Sequence, residues 1–158
     1  MKILFLGEFY PNVVHGISIS NYINANVLAD HFEVKRVHEK TEIRNTVTAK
    51  FNRFIDIFYQ CIVLRGTSSR EVYDVMYLVI SVSFFGLIKT ILYSYAFRKR
   101  NSRIICHIHR GDVCKIFEFR RYYLLRRLLL NRIDQIICLT RNQADHLSMI
   151  VERPNIKI

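Results

Sequence analysis

Short apolar runs alternate along the chain with longer segments of helical period, the pattern of strands feeding helices. Lys2–Leu6 opens the series as a strand. Ser18 or Ser20 stands where it can cap a helix running to about Phe32, with Ile19, Ile23, Val27 and Leu28 forming its buried stripe. Glu33–His38 reads as a second strand and the polar stretch Glu39–Thr48 as a loop. From Ala49 to Leu64, the residues Phe51, Phe54, Ile55, Phe58 and Ile62 keep a helical period that Gly66 closes. Tyr73–Leu78 is the third strand, by its β-branched and aromatic content, and Phe84–Arg100 is a helix with a cationic last turn. Ser102–His109 gives a fourth strand and Phe119–Asn131 a helix. Asp134–Leu139 gives a fifth strand, and Thr140 caps a helix to about Val151. Pro154–Ile158 has the look of a sixth strand begun and not finished. Strand and helix in strict alternation predict a three-layer, doubly wound, Rossmann-like α/β domain with a mostly parallel sheet of about six strands.

The stretch from Val75 to Phe97 tests that reading. It is 23 residues long with one charge, Lys89, and is followed by Arg98-Lys99-Arg100, so it has the length and flank of a membrane span. Lys89 would lie near the middle of such a span at a cost of roughly 2.5–3.5 kcal/mol. Ser81, Ser83 and Gly86 divide the run into a strand-like half and a helix-like half. The sequence therefore favours a buried strand followed by a helix.

Composition narrows the class further. A chain of 158 residues, 51% hydrophobic and 23% charged, is long enough for one domain with a real core and is neither disordered nor fibrous. The cysteines Cys61, Cys106, Cys114 and Cys138 sit irregularly within apolar or mixed runs, and no signal peptide precedes them. Reduced thiols in a cytosolic protein fit better than a disulfide framework. The formal charge of +11 is concentrated: between Arg98 and Arg132 eleven Lys and Arg face only Asp112 and Glu118. Such a concentration implies an anionic partner, whether membrane lipid, a diphosphate-linked substrate or nucleic acid.

Candidate chemistry gathers at three places. After the first strand, Gly7 to Ile17 makes a glycine-containing loop before a helix N-terminus, an arrangement suited to a phosphate or carboxylate. The dinucleotide fingerprint G-x-G-x-x-G is absent, which excludes a standard NAD domain. His109 ends the fourth strand, and in open α/β sheets ligands bind beyond the carboxyl ends of strands. It is either a ligand contact or a structural histidine bonded to a neighbouring loop. Arg110 and Asp112 beside it suit substrate binding or a local turn equally. Cys106, His107, His109 and Cys114 lack standard zinc spacing, and Cys106 and His109 should face opposite sides of the sheet, so no metal site is expected. The helix around Arg120, Arg121, Arg126 and Arg127 interleaves arginine with leucine. That pattern suits a membrane surface, or a packed helix whose arginine stems cover apolar area. No helix-turn-helix, zinc-finger or RNA-binding strand motif is present, so no specific nucleic-acid partner is expected.

Taken together and in order, these motifs resemble the N-terminal domain of the GT-B glycosyltransferases, specifically the retaining family 4. The resemblance rests on Met1–Leu6 with Phe9-Tyr10-Pro11 and His15-Gly16-Ile17, on Ile104–Gly111 with its closing His-Arg-Gly, on Arg132–Thr140, and on Pro154–Ile158. Ile17 stands where the family usually has a second glycine. The family's C-terminal donor-binding domain, with its paired glutamates, has no counterpart in this sequence. The resemblance implies an acceptor-binding half of a transferase, inactive alone, for a lipid-linked or surface polysaccharide acceptor. It also implies a cytoplasmic location, peripheral at the inner membrane face, with no cofactor of its own and a separate C-terminal donor-binding subunit as partner. His109 would contact the reacting sugar. Tyr10, Asn12, His15 and Gly16 would line the cleft with Arg110, Asp112 and Thr140. The alternative is a non-catalytic basic α/β module that binds an anionic membrane or nucleic acid.

Overall fold

A computed structural model describes residues 1–39, 47–80, 83–97, 101–111 and 117–151, with the backbone alone at 47–51 and 53. Its elements alternate as the apolar pattern requires: β1 Lys2–Gly7, α1 Gly16–Ala29, β2 Glu33–His38, α2 Val47–Arg70, β3 Val75–Ile80 and α3 Phe84–Ala96. Then come β4 Arg103–Ile108, a 3₁₀ turn Arg120–Tyr122, α4 Tyr123–Leu130, β5 Gln135–Ile137 and α5 Arg141–Ile150. The strands form one parallel sheet in the order β2-β1-β3-β4-β5, with helices on both sides, as a doubly wound α/β fold demands. The expected start of a sixth strand at Pro154–Ile158 lies outside the described residues.

Both faces of the sheet are buried, so the central strands read as continuous apolar runs. On one face Leu4, Leu6, Met76, Leu78, Ile104, Cys106 and Ile108 pack beneath α2, α3 and α4. On the other, Ile3, Phe5, Val75 and Tyr77 meet Phe9 and Ala25 of the α1 side. The Val75–Phe97 run is therefore a strand and a helix of one core. Its single charge, Lys89, pairs with Glu39 beyond β2. Among the described residues no helix is long and apolar enough to cross a membrane.

Register at the amino ends is fixed by two aspartates with one job. Asp74, just before β3, accepts the Lys2 N–H at 2.6 Å and donates its own N–H to the Lys2 carbonyl at 2.9 Å. Asp134, just before β5, does the same to both backbone groups of Ile104 at 2.7 and 2.9 Å. Each carboxylate supplies an acceptor to a backbone N–H in the first two residues of the neighbouring strand, Lys2 of β1 and Ile104 of β4.

Several expectations need correction. The α1 cap is His15, not Ser18 or Ser20; Ser18 is the third helical residue and closes a capping box with it. The buried face of α1 is Ser18, Asn21 and Ala25, while Ile19, Ile23 and Val27 point outward and only Leu28 packs inward in part. Helix α2 does not stop at Gly66 but continues to Arg70, because its buried stripe carries on through Leu64 to Ser68. Helix α3 ends at Ala96, with Phe97 buried as its C-cap.

The two aspartate clamps differ in burial, and this sets a test. Asp134→Ala removes the acceptor from the N–H of fully buried Ile104 and should cost about 1–3 kcal/mol in urea unfolding. Asp74→Ala exposes an N–H that water can reach and should cost less.

Candidate functional site

The carboxyl ends of the strands carry the chain's unfinished polar chemistry. Four buried side-chain atoms have no hydrogen-bond partner among the described residues: Asn21 Oδ1, His38 Nδ1, Gln60 Oε1 and His109 Nε2. All four belong to this one end of the sheet. His38 is the last residue of β2, and Gln60 donates to the His38 carbonyl at 3.0 Å. Asn21 donates to the carbonyl of Glu8, the residue after β1, at 3.0 Å. His109 follows β4. Buried polar atoms are almost always satisfied, so a cluster of orphans at a ligand-binding edge points to a group supplied from outside.

Around the first loop the sequence builds a tight polar knot. Ser18 N–H donates to His15 Nδ1 at 3.1 Å, which leaves the ring proton on Nε2, 2.5 Å from Glu8 Oε2. Ser18 Oγ accepts from the His15 N–H at 3.0 Å and donates to the Val13 carbonyl at 2.7 Å. Beneath this knot Asn21, 1% exposed, lies against Gly7, where a Cβ would stand 2.9 Å from Asn21 Nδ2. Gly7 is thus the glycine that permits close approach within the chain. At Gly16, the first residue of α1, a Cβ would meet open space, so nothing inside the chain requires glycine there. The helix N-terminus beside it remains a place where backbone N–H groups can meet an anion.

At the tip of β4 two imidazoles stack. The His107 and His109 rings are 4.1 Å apart, and His107 Nδ1 shares a 2.5 Å hydrogen bond with the Tyr77 hydroxyl on β3. Burial, and then the neighbouring His109, lower the His107 pKa to about 4; burial lowers that of His109 as well. Burial also pushes the Tyr77 phenol upward. The pair is therefore neutral at pH 7, a hydrogen-bonding rather than a cationic surface. A continuous row of rings, Phe9–Phe5–Tyr77–His107–His109, joins the first loop to the β4 tip on the α1 side of the sheet. Since β3 lies between them, the tips of β1 and β4 stand roughly 10 Å apart.

The remaining candidates fall out unevenly. The Thr140 hydroxyl caps α5 by accepting from the Gln143 N–H at 3.3 Å. Gln143 also donates to the Arg110 carbonyl at 2.8 Å and accepts from the Leu139 N–H at 3.0 Å, which ties the loops after β4 and β5 together. Tyr10 is exposed and rests edge-on against Tyr22; Asn12 is exposed. His15 has both ring nitrogens engaged in the loop, so its place is structural. Asp112 and Cys114 lie outside the described residues. Cys106 is fully buried on the face opposite the histidines, its thiol held well above its usual pKa by burial, and no group of three metal-ligating side chains occurs among the described residues.

Asn21, Tyr77, His107 and Gln143 are the site residues that sequence reasoning missed. Asn21 had a signal, a polar residue spaced to share a helix face with Ser18 and Ala25. Tyr77 and Gln143 had none, because each matters through a partner thirty or more residues away. Comparison with protein-family models, with curated proteins and with solved structures returned no match.

Two outcomes follow from this geometry. Gly7→Ala should destabilise the chain by about 1–2 kcal/mol, and the same change on an Asn21→Ala background should cost measurably less, since the clash is with that amide. Between the ordinary histidine pKa of about 6.5 and the folded value near 4, the unfolded chain binds a proton that folded His107 does not. Stability should therefore fall as pH is lowered through that window, and a Tm-against-pH series should show a shallower fall for His107→Gln.

Proposed function

We propose that this chain is the acceptor-binding half of a sugar transferase, the strand tips forming one wall of a cleft. The carrying observation is His109 Nε2, buried, without a hydrogen-bond partner among the described residues and located at the tip of β4 on the same side of the sheet as Asn21 and the N-terminus of α1. A neutral imidazole can bond a sugar hydroxyl as donor or acceptor, and the α1 N-terminus suits the diphosphate that links such a sugar to lipid. The roughly 10 Å between the tips of β1 and β4 accommodates a hexose and its phosphate. In this reading donor binding falls to a second domain or subunit.

In this reading the arginines of the 3₁₀ turn and α4 hold the chain at the inner, anionic face of a membrane, where a lipid-linked acceptor resides. Arg120, Arg121, Arg126 and Arg127 form no ion pair among the described residues, and carboxylates are absent from 119–132. The competing reading, a basic module with no chemistry, shares the charge but leaves the orphaned atoms at the strand tips without a role.

Titration of the chain with a short-chain lipid diphosphate sugar should move the ring signals of His109 and the amide of Gly16, and His109→Ala should weaken binding by about tenfold, the size of one lost buried hydrogen bond. Shifts confined to the arginine helix would instead favour the module with no chemistry. The chain alone should turn over no nucleotide-sugar; measurable transfer would contradict the division of labour.

A further inference from the structure

The helical layer over the larger core is apolar on its outside as well as its inside. Helix α2 buries Leu64 against the sheet, yet its solvent side carries Phe54, Ile55, Phe58 and Ile62, the last 69% exposed. Helix α3 does the same: Leu87 and Ile91 face the core, while Phe84 and Phe85 lie exposed. A contiguous outward apolar face is ordinarily covered by a partner. Here α2, α3 and α4 lie side by side with one side covered.

The outer residues form one surface. Phe54 meets Phe85 at 6.1 Å, Phe85 meets Phe84 at 5.5 Å, Phe84 meets Tyr122 at 6.1 Å and Tyr122 meets Phe119 at 6.3 Å. At its end, Arg121 sits 4.8 Å from the rings of both Phe119 and Tyr122. Beyond them α4 adds Leu124, 71% exposed, and Arg126 over the ring of Tyr123 at 5.6 Å. An aromatic ladder of this length exceeds what scattered surface apolars account for.

We infer that this outer face of α2, α3 and α4 docks on an anionic lipid bilayer, the phenylalanines and isoleucines entering the acyl boundary and the arginines lying among the headgroups. Charge decides between occupants. A second copy would set arginines against arginines in a chain of formal charge +11. A nucleic acid would satisfy the arginines and leave Phe54, Phe58 and Phe85 in water. A bilayer with anionic headgroups meets both requirements, since arginine and tyrosine belong at headgroup level and phenylalanine and leucine below it. This surface deepens the membrane-facing part of the proposed function and rests on that part alone; it stands whether or not the strand tips hold a sugar.

The sequence contains no tryptophan, so Phe58→Trp introduces a single reporter. With the full chain, its emission should shift to the blue on vesicles containing roughly one third phosphatidylglycerol and stay unchanged on phosphatidylcholine alone. In sedimentation with the same anionic vesicles, the paired change Phe58→Asn with Phe85→Asn should weaken binding at least tenfold, and Arg120→Gln with Arg121→Gln by a similar factor. Thermal unfolding of both variants should stay close to that of the parent chain, because these side chains are largely exposed and their contacts lie within the outer face. An unshifted reporter overturns the inference, as does undiminished vesicle binding by the phenylalanine variant. So does a stable dimer that the phenylalanine variant dissolves, which would assign the face to a second copy, and so does binding to oligonucleotides as tight as to vesicles. Neither pair touches the strand tips, so sugar binding should persist in both and its loss or absence bears on the proposed function separately.

Discussion

A missing side chain sets the geometry of the site. Because Gly7 has no Cβ, Asn21 can lie against the end of β1 and bond the Glu8 carbonyl. That contact draws α1 down onto the strand tips with its small and polar residues inward. Ser18 then reaches the Val13 and His15 carbonyls, His15 becomes the cap, and Glu8 closes the ring on its other nitrogen. A close helix–strand approach excludes bulky side chains from the contact, so Ile19, Ile23 and Val27 must turn outward. The polar loop and the apolar outer stripe of α1 are two consequences of one steric fact.

Much of the architecture could be read from the sequence because it depends on local pattern. The runs at Ile3–Leu6, Val75–Leu78 and Ile104–Cys106 are apolar throughout, which is what burial on both sheet faces requires. Thr140 is followed at the right spacing by a helical period, and it caps as that spacing implies. What pattern could not supply was direction. Helical periodicity shows that Ile19, Ile23 and Val27 share a face, and that Phe54, Phe58 and Ile62 share another. It does not say which face meets the sheet, and in both helices the more apolar stripe is the outer one. Gly66 misled for a related reason: a glycine inside a helix costs roughly 1 kcal/mol, less than the packing of Leu64 and Ser68 on either side of it contributes.

The site was less legible than the fold. His109 was singled out because strand ends in open α/β sheets are where ligands bind, and its Nε2 is buried without a hydrogen-bond partner among the described residues. Its neighbour His107 entered only as one of four residues, with Cys106, His109 and Cys114, that lack zinc spacing. Its partnership with Tyr77 runs across strands, and no spacing within one strand encodes it. His15 went the other way: a histidine beside a glycine at a helix start suggests a ligand, but both its nitrogens are consumed in holding the loop.

The run from Val75 to Phe97, with Lys89 as its single charge, joins the sheet to the outer helical face. A strand and a helix packed on one core need apolar residues on both sides of the strand but on only one side of the helix. The run has them on both sides of both, which is why its composition imitates a membrane span. The strand half is accounted for by its neighbours β1 and β4, and Lys89 by Glu39. What remains in excess is the outer side of α3, continuous with the outer side of α2 and ending among arginines without carboxylates. On the inference drawn above, the hydrophobicity that would suit a helix crossing a bilayer is arranged for a surface that lies on one.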